Sequence, residues 1–219
     1  IPVTPDQIIF RFSGVRPLEY QEKKTTGQIT RDHSIKDDSV HGTPVLSLVG
    51  GKLTSFRAFG EQVADRIFDM IGKTRNANTE ETKIGGGKGY PEDKEAIEKF
   101  INGLTKETNS DHAIVQYLFD MYGMHIVEIL GISKNRTEVK VIPGFERLTE
   151  NEVIYLARNE KVVHLDDLIL RRTSLGWLGG YTKGQLREIA SIVAKELKWN
   201  QSRIAEEIDR TVNLLKERH

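Results

Sequence analysis

The chain has 219 residues, 32 Lys and Arg against 32 Asp and Glu, 37% apolar residues and no cysteine. That length buries a core as one large domain or two small ones. Zero formal charge argues against nucleic acid as a partner, because such binders carry a basic surplus, and a chain without cysteine has no disulfide, Cys-ligated zinc, iron–sulfur cluster or thiol nucleophile.

Residues 1–73 read as strands and turns followed by one helix. Residues 8–12 form a β-prone run closed by Ser13 and Gly14. Residues 19–28 are polar and loop-like, and 29–36 read as a second strand. Residues 44–49 are almost wholly apolar between Pro44 and the pair Gly50-Gly51, the pattern of a strand buried on both faces. From 53 to 71 the period changes. Phe56, Gly60, Val63, Ala64, Ile67 and Ile71 recur every three or four residues, with Arg57, Glu61, Gln62, Asp65 and Arg66 opposite, which predicts an amphipathic helix stopped at Gly72. Strand, Gly-Gly turn and helix make a β–α unit of a mixed sheet.

Residues 74–90 read as a linker, polar and then glycine-rich from Gly85 to Gly89. Residues 91–219 read as a compact bundle of five to seven helices. Pro91 opens the first, whose stripe is Ala96, Phe100, Ile101 and Leu104. Others are expected at 111–122, 126–130, 165–172, 182–197 and 201–215, and Thr149 to Glu152 opens another with a Thr-x-x-Glu capping box. No apolar run approaches the ~18 residues a membrane span needs, and no signal peptide is visible. The chain starts at Ile1 and its first methionine is Met70, so it reads as a piece of a longer protein. The lack of cysteine fits a reducing compartment, and a cytoplasmic setting is the expectation.

Several motifs invite a chemical reading. Gly85 to Gly89 follows a polar linker rather than a strand and lacks Lys-Ser/Thr after its last glycine, so it reads as a flexible hinge and not as a phosphate loop. Gly50-Gly51-Lys52-Leu53-Thr54 does lie between a strand and a helix. There glycines allow close backbone approach, and the helix start offers N–H donors with Lys52 beside them. Local chemistry leaves open both a site for anionic or electron-rich atoms and a plain turn with a solvated lysine. Arg11, Arg16 and Arg31 flank the β segments, and Pro17 holds Arg16 extended. His33 and His41 read as structural or solvated. Asp166 and Asp167 are spaced to pair with Arg171 and Arg172, and no His or Glu cluster is in view to complete a metal shell. Trp177 reads as a loop anchor, Trp199 as a cover on the bundle, and Met121 to Met124 as core filling.

Taken in order, Phe12-Ser13-Gly14-Val15-Arg16-Pro17-Leu18, Ile29-Thr30-Arg31-Asp32-His33 and Gly50-Gly51-Lys52-Leu53-Thr54-Ser55-Phe56-Arg57 closely resemble FAD-dependent glycerol-3-phosphate dehydrogenase. Tyr122-Gly123 and the stretch from Asp166 to Gly176 resemble that family's C-terminal helical domain. The resemblance spans nearly the whole chain and covers the C-terminal portion of the family's sequence. It implies an α+β chain: the C-terminal edge of a D-amino-acid-oxidase-like flavin and substrate α/β domain at 1–73, a linker at 74–90, and an all-α helical domain at 91–219. It implies oxidation of sn-glycerol 3-phosphate to dihydroxyacetone phosphate, with the hydride passed to FAD and the electrons to a quinone, or to oxygen in the alpha-glycerophosphate oxidase branch. It gives Arg16 and Lys52 catalytic duty, places Arg16, Arg31 and Lys52 on the substrate, and sets Gly51, Lys52, Leu53 and Thr54 on the cofactor, with no metal. A homodimer and peripheral attachment to the inner face of the membrane are left open by it. A helical dimerisation or docking module without catalytic duty is the competing reading. Ser55 and Phe56 depart from the family's usual Thr-Tyr. The glycine fingerprint that grips the FAD pyrophosphate and the family's upstream active-site histidine and arginine are not among these residues. The 219-residue chain alone is therefore expected neither to retain FAD nor to turn over substrate.

Overall fold

The computed structural model describes residues 2–15, 32–50, 52–133, 139–179 and 181–218. The fold is α+β and mostly helical, and it divides into two compact units: Ser13–Lys83, and Ile1–Phe12 together with Ile84–His219.

In the first unit, β1 (Ser34–Val40) and β2 (Thr43–Val49) form an antiparallel hairpin, in register from Ser34 opposite Val49 to Val40 opposite Thr43. The two-residue turn places His41 and Gly42 at φ 52° and 81°, the mirror-image turn whose twist suits a hairpin. The second predicted strand thus begins at Ser34 among the described residues; positions 29–31 lie outside them. The expectation that 44–49 is buried on both faces is corrected. Among the described residues the sheet has two strands, and Thr43, Pro44, Ser47 and Leu48 are exposed.

Helix α1 (Phe56–Met70) follows as its period requires, entered through a 3₁₀ turn at Leu53–Ser55. The hairpin is tied to it by His33, whose Nε2 lies 2.8 Å from Gln62 Oε1 and whose ring stacks on Phe59, and by Arg66 donating to both oxygens of Asp37. The polar segment after α1 folds back on it. Arg75 donates to Asp65, Arg57 donates to the carbonyls of Thr79 and Glu80, and Thr79 donates to Glu61. Of α1's predicted apolar face, Phe56, Ile67 and Ile71 are exposed.

In the second unit the described helices are α2 (Lys94–Thr108), α3 (His112–Tyr122), α4 (Ile126–Gly131), α5 (Glu150–Asn159), α6 (Leu165–Asp167), α7 (Leu175–Leu178), α8 (Lys183–Leu197) and α9 (Gln201–Arg218). Asp93, Asp111, Thr149 and Thr182 cap α2, α3, α5 and α8 by accepting backbone N–H bonds, and the last two complete capping boxes. The predicted helix at 165–172 is one helical turn running into a π-helical stretch at Leu168–Arg172. The core is one cluster. Leu118, Phe119, Ile126, Ile129, Val153, Leu168, Ile189 and Val193 are each 0–1% exposed, and Trp199 packs against it as expected.

Residues 8–12 do not form the predicted strand. The Phe10 and Phe12 rings both pack against Trp177 at 5.5 and 5.3 Å, while Arg11 N–H donates to the Arg218 carbonyl. Trp177 is thus an anchor, on the one-turn helix α7 rather than in a loop.

The glycines read as a flexible hinge form a docked 3₁₀ turn, Gly85–Gly87. A Cβ on Gly86 would sit 2.1 Å from the Tyr122 carbonyl oxygen, and one on Gly123 would sit 2.7 Å from the Gly86 carbonyl oxygen. Backbone meets backbone there, so neither side yields. In α2, by contrast, a Cβ on the exposed Gly103 would meet nothing within 4 Å. Gly86→Ala is therefore expected to destabilise the helical unit by about 2 kcal/mol through overpacking, and Gly103→Ala to stabilise it by about 1 kcal/mol through helix propensity. Urea midpoints followed by tryptophan fluorescence check both, since the chain's two tryptophans, Trp177 and Trp199, lie in that unit.

Candidate functional site

Six residues were singled out from the sequence. Arg16, Arg31 and Gly51 lie outside the described residues. Lys52, Leu53 and Thr54 are brought together where β2 ends and α1 begins, and all three are exposed, Leu53 at 88%. Gly50 at φ 74° turns the chain out of β2, a conformation that L side chains rarely adopt. The Lys52 carbonyl accepts from Ser55 N–H at 3.0 Å and from the Ser55 hydroxyl at 3.1 Å, which closes the 3₁₀ turn. Among the described residues the N–H groups of Leu53 and Thr54 have no acceptor, as the first turn of a helix requires. A primary amine and two open N–H donors thus share one exposed end of a helix. Such an arrangement stabilises negative charge or an electron-rich edge.

The helical unit holds two buried polar centres, of which the sequence shows only the Thr149–Glu152 capping box and the Asp166, Asp167 and Arg171 spacing. Glu152, 0% exposed, accepts at Oε1 from Tyr117 Oη at 3.1 Å and Tyr122 Oη at 2.7 Å. Burial raises its carboxyl above the ordinary value, and the hydrogen bonds from Tyr122, Tyr117 and Thr149 only partly oppose this. Burial first, then the neighbouring Glu152, pushes both tyrosines far above their usual range, so they remain protonated donors. Tyr122 is therefore more than core filling. Because the folded-state pKa of Glu152 lies above its unfolded value, its protonated form favours folding. That contribution is complete below the unfolded value, near ~4.3, and fades as pH rises through the folded one. Glu152→Gln, uncharged at every pH, is expected to remove that fading. Urea midpoints of the two proteins compared from pH 4 to pH 8 check it; parallel curves would refute the assignment.

The second centre joins α6 to α9. Asp166, 1% exposed, receives Arg171 at 3.0 Å and Arg210 at 2.7 Å, and Arg171 also bonds Asp167 at 2.9 Å. Of the ion pairs read from the 166–172 spacing, those of Arg171 are present, with Arg210 added from 44 residues away; Arg172 turns instead to Glu160, its Nε donating to the Glu160 carbonyl at 2.9 Å. Burial would raise the Asp166 carboxyl, but the hydrogen bonds from Arg210 and Arg171 outweigh it and hold the group below its ordinary value. Glu207, 1% exposed, accepts from Leu165 N–H at 2.9 Å and from Arg203 at 2.6 Å, and lies 2.8 Å from His164 Nδ1. Arg203 Nη2 lies 3.1 Å from the same His164 nitrogen.

The sequence shows no His or Glu cluster to complete a metal shell at Asp166, yet ligand atoms of His164, Asp166 and Glu207 lie within 4.8 Å of one another. Three guanidinium groups already neutralise the two carboxylates, so the cluster is an ion-pair lock that a cation would have to break. A sequence signal existed for it. On α9, Glu207 falls on the same stripe as Ile204, Ile208 and Thr211, and a charge on an apolar stripe announces a buried partner.

A model of the C-terminal domain of alpha-glycerophosphate oxidase matches residues 77–204, more than half of the chain. A glycerol-3-phosphate dehydrogenase of Synechocystis is 30% identical over 95% of this chain and 37% of its own length. The aerobic glycerol-3-phosphate dehydrogenase of Escherichia coli is 30% identical over 79% of this chain and 34% of its own, and a probable mitochondrial one of Dictyostelium discoideum is 28% identical over 99% and 34%. The chain spans about a third of the length of these curated relatives. No helix among the described residues is long and apolar enough to cross a membrane. Its 77–204 stretch, its ordered motifs and its near end-to-end match to these dehydrogenases place the chain in the glycerol-3-phosphate dehydrogenase and alpha-glycerophosphate oxidase family, as the part that ends in the C-terminal helical domain.

Proposed function

We propose that this chain is the C-terminal part of a flavoenzyme that oxidises sn-glycerol 3-phosphate to dihydroxyacetone phosphate and delivers the electrons to a quinone. The observation that carries the reading is that proteins named glycerol-3-phosphate dehydrogenase match nearly every part of this chain. The turn at 52–54 supports it. Its amine and two open N–H groups suit the electron-rich pyrimidine edge of a flavin, so the donor chemistry fits FAD along that edge. FAD, when bound, supplies the hydride acceptor.

The chain's own residues supply charge and placement. Arg16 and Arg31 would grip the phosphate dianion, for which a planar guanidinium fork is suited. Lys52 would hold positive charge beside the reacting centre, and Gly51, Leu53 and Thr54 would present backbone to the cofactor. Fixed donors aimed at developing negative charge need no reorganisation during reaction. The full-length protein would work in the cytoplasm, peripheral on the inner face of the membrane where a quinone is reached. Oxygen is the second acceptor to weigh, because the matching domain model is described from an oxidase.

The test is an assay of the full-length protein with glycerol 3-phosphate. Dihydroxyacetone phosphate formed in step with quinone reduction supports the proposal. Oxygen uptake with hydrogen peroxide release moves it to the oxidase branch, and no oxidation with either acceptor contradicts it. The purified 219-residue chain is expected to show no stoichiometric flavin absorbance; a full flavin spectrum on it would overturn the view that the missing sequence supplies the main grip on the cofactor.

A further inference from the structure

The helical unit contains a cleft of about 560 Å³ between the loop that precedes α5 and the turn that carries α7, a volume usual for small-molecule sites. Both walls are fixed. The loop is closed by Ile142 N–H donating to the Leu148 carbonyl at 2.8 Å and by Gln185 Nε2 donating to the Gly144 carbonyl at 2.7 Å. The turn is held by the Thr173 hydroxyl donating to the Leu168 and Ile169 carbonyls at 3.1 and 3.2 Å.

The lining is mixed, polar and apolar in similar measure. Phe145 and Tyr181 stack at 5.3 Å and 23°, and Leu148, Leu175 and Leu178 complete the apolar surface. Arg147 lines the same cleft and, among the described residues, has no ion pair. Ser174 and Glu146 lie at it as well. Beside the hydroxyls of Thr173 and Tyr181, the cleft is lined by Tyr117, whose hydroxyl hydrogen is committed to the buried Glu152. Its oxygen can only accept further bonds, and the carboxylate behind it opposes an anion at that point.

We propose that this cleft binds a small hydroxylated aromatic carboxylate, with its ring against the Phe145, Tyr181 and leucine surfaces, its carboxylate at Arg147, and its hydroxyl directed to Tyr117. The polarity follows from the lining: an unpaired guanidinium attracts the anionic end, and an acceptor-only oxygen calls for a donor. The aromatic surface that Phe145 and Tyr181 form together favours a flat body over a branched aliphatic one.

The test is a ligand-observed NMR titration of the 219-residue chain with 4-hydroxybenzoate. Saturable binding is expected, weaker for phenol, which lacks the carboxylate. Arg147→Gln should weaken 4-hydroxybenzoate binding about tenfold, the scale of one charge-assisted contact, while phenol binding holds. Arg187→Gln, a charge change on α8 away from the cleft, should leave both unchanged. Absence of saturable binding overturns the proposal. So does an equal loss in the two variants, or equal affinity for phenol and 4-hydroxybenzoate.

Discussion

Replacing Lys52 by alanine in the full-length enzyme should lower kcat/KM for glycerol 3-phosphate by about two to three orders of magnitude, the usual consequence of removing one donor aimed at developing charge. The fall should appear mainly in kcat, because the amine is proposed to act on charge that develops during reaction. Arg16→Ala should cost a similar factor but raise KM as well, since it is proposed to hold the phosphate in ground and transition states alike. Lys52 is exposed and makes no ion pair among the described residues, so its loss should leave the urea midpoint unchanged. That combination separates the enzymatic reading from the scaffold reading. A helical module without catalytic duty would leave turnover untouched by either substitution.

The second large effect is on stability. Glu207→Ala should destabilise the helical unit by about 3 kcal/mol. It strands the buried Leu165 N–H, unpairs His164 and Arg203, and opens a cavity on the core side of α9. Asp209, two positions on, makes an exposed pair with Lys183, both side chains about two-thirds exposed. Asp209→Ala should leave the midpoint where it is, because solvent screens such pairs. Urea unfolding by tryptophan fluorescence reads both; equal effects would mean that the lock between α6 and α9 contributes nothing beyond a surface pair. The pH dependence follows from Asp166. Its folded-state pKa is lowered, so its contribution is present above the unfolded value and is lost as pH falls through the folded one.

The long helices could be read from the sequence because their period, caps and stripes agree. Thr149 and Thr182 with their partners three residues on mark α5 and α8, and Ile189, Ala190, Val193 and Ala194 fall on one buried face. Short or irregular elements could not. The run at 8–12 has strand-like residues, but what it meets is Trp177, and no local pattern announces a contact across 165 positions. The π-helical stretch at Leu168–Arg172 has the same local composition as an α-helix. The hinge reading of Gly85 to Gly89 failed for a similar reason: glycine content reports freedom, whereas here it permits backbone to touch backbone at Gly123. Glu152 was visible only as a capping residue, because Tyr117 and Tyr122 lie 35 and 30 positions away. The candidate turn itself was readable, since Gly50 to Thr54 changes period from strand to helix within five residues. What the turn faces was not, because the chain spans about a third of its relatives.

The most direct test of the account is a structure of the full-length protein with its cofactor and glycerol 3-phosphate bound. The account predicts that the Leu53 and Thr54 N–H groups donate to the flavin ring and that Lys52 Nζ lies within about 3 Å of flavin or substrate, with Arg16 on the phosphate. A turn pointing into bulk water, with the ring and the phosphate held entirely by other residues, would contradict it.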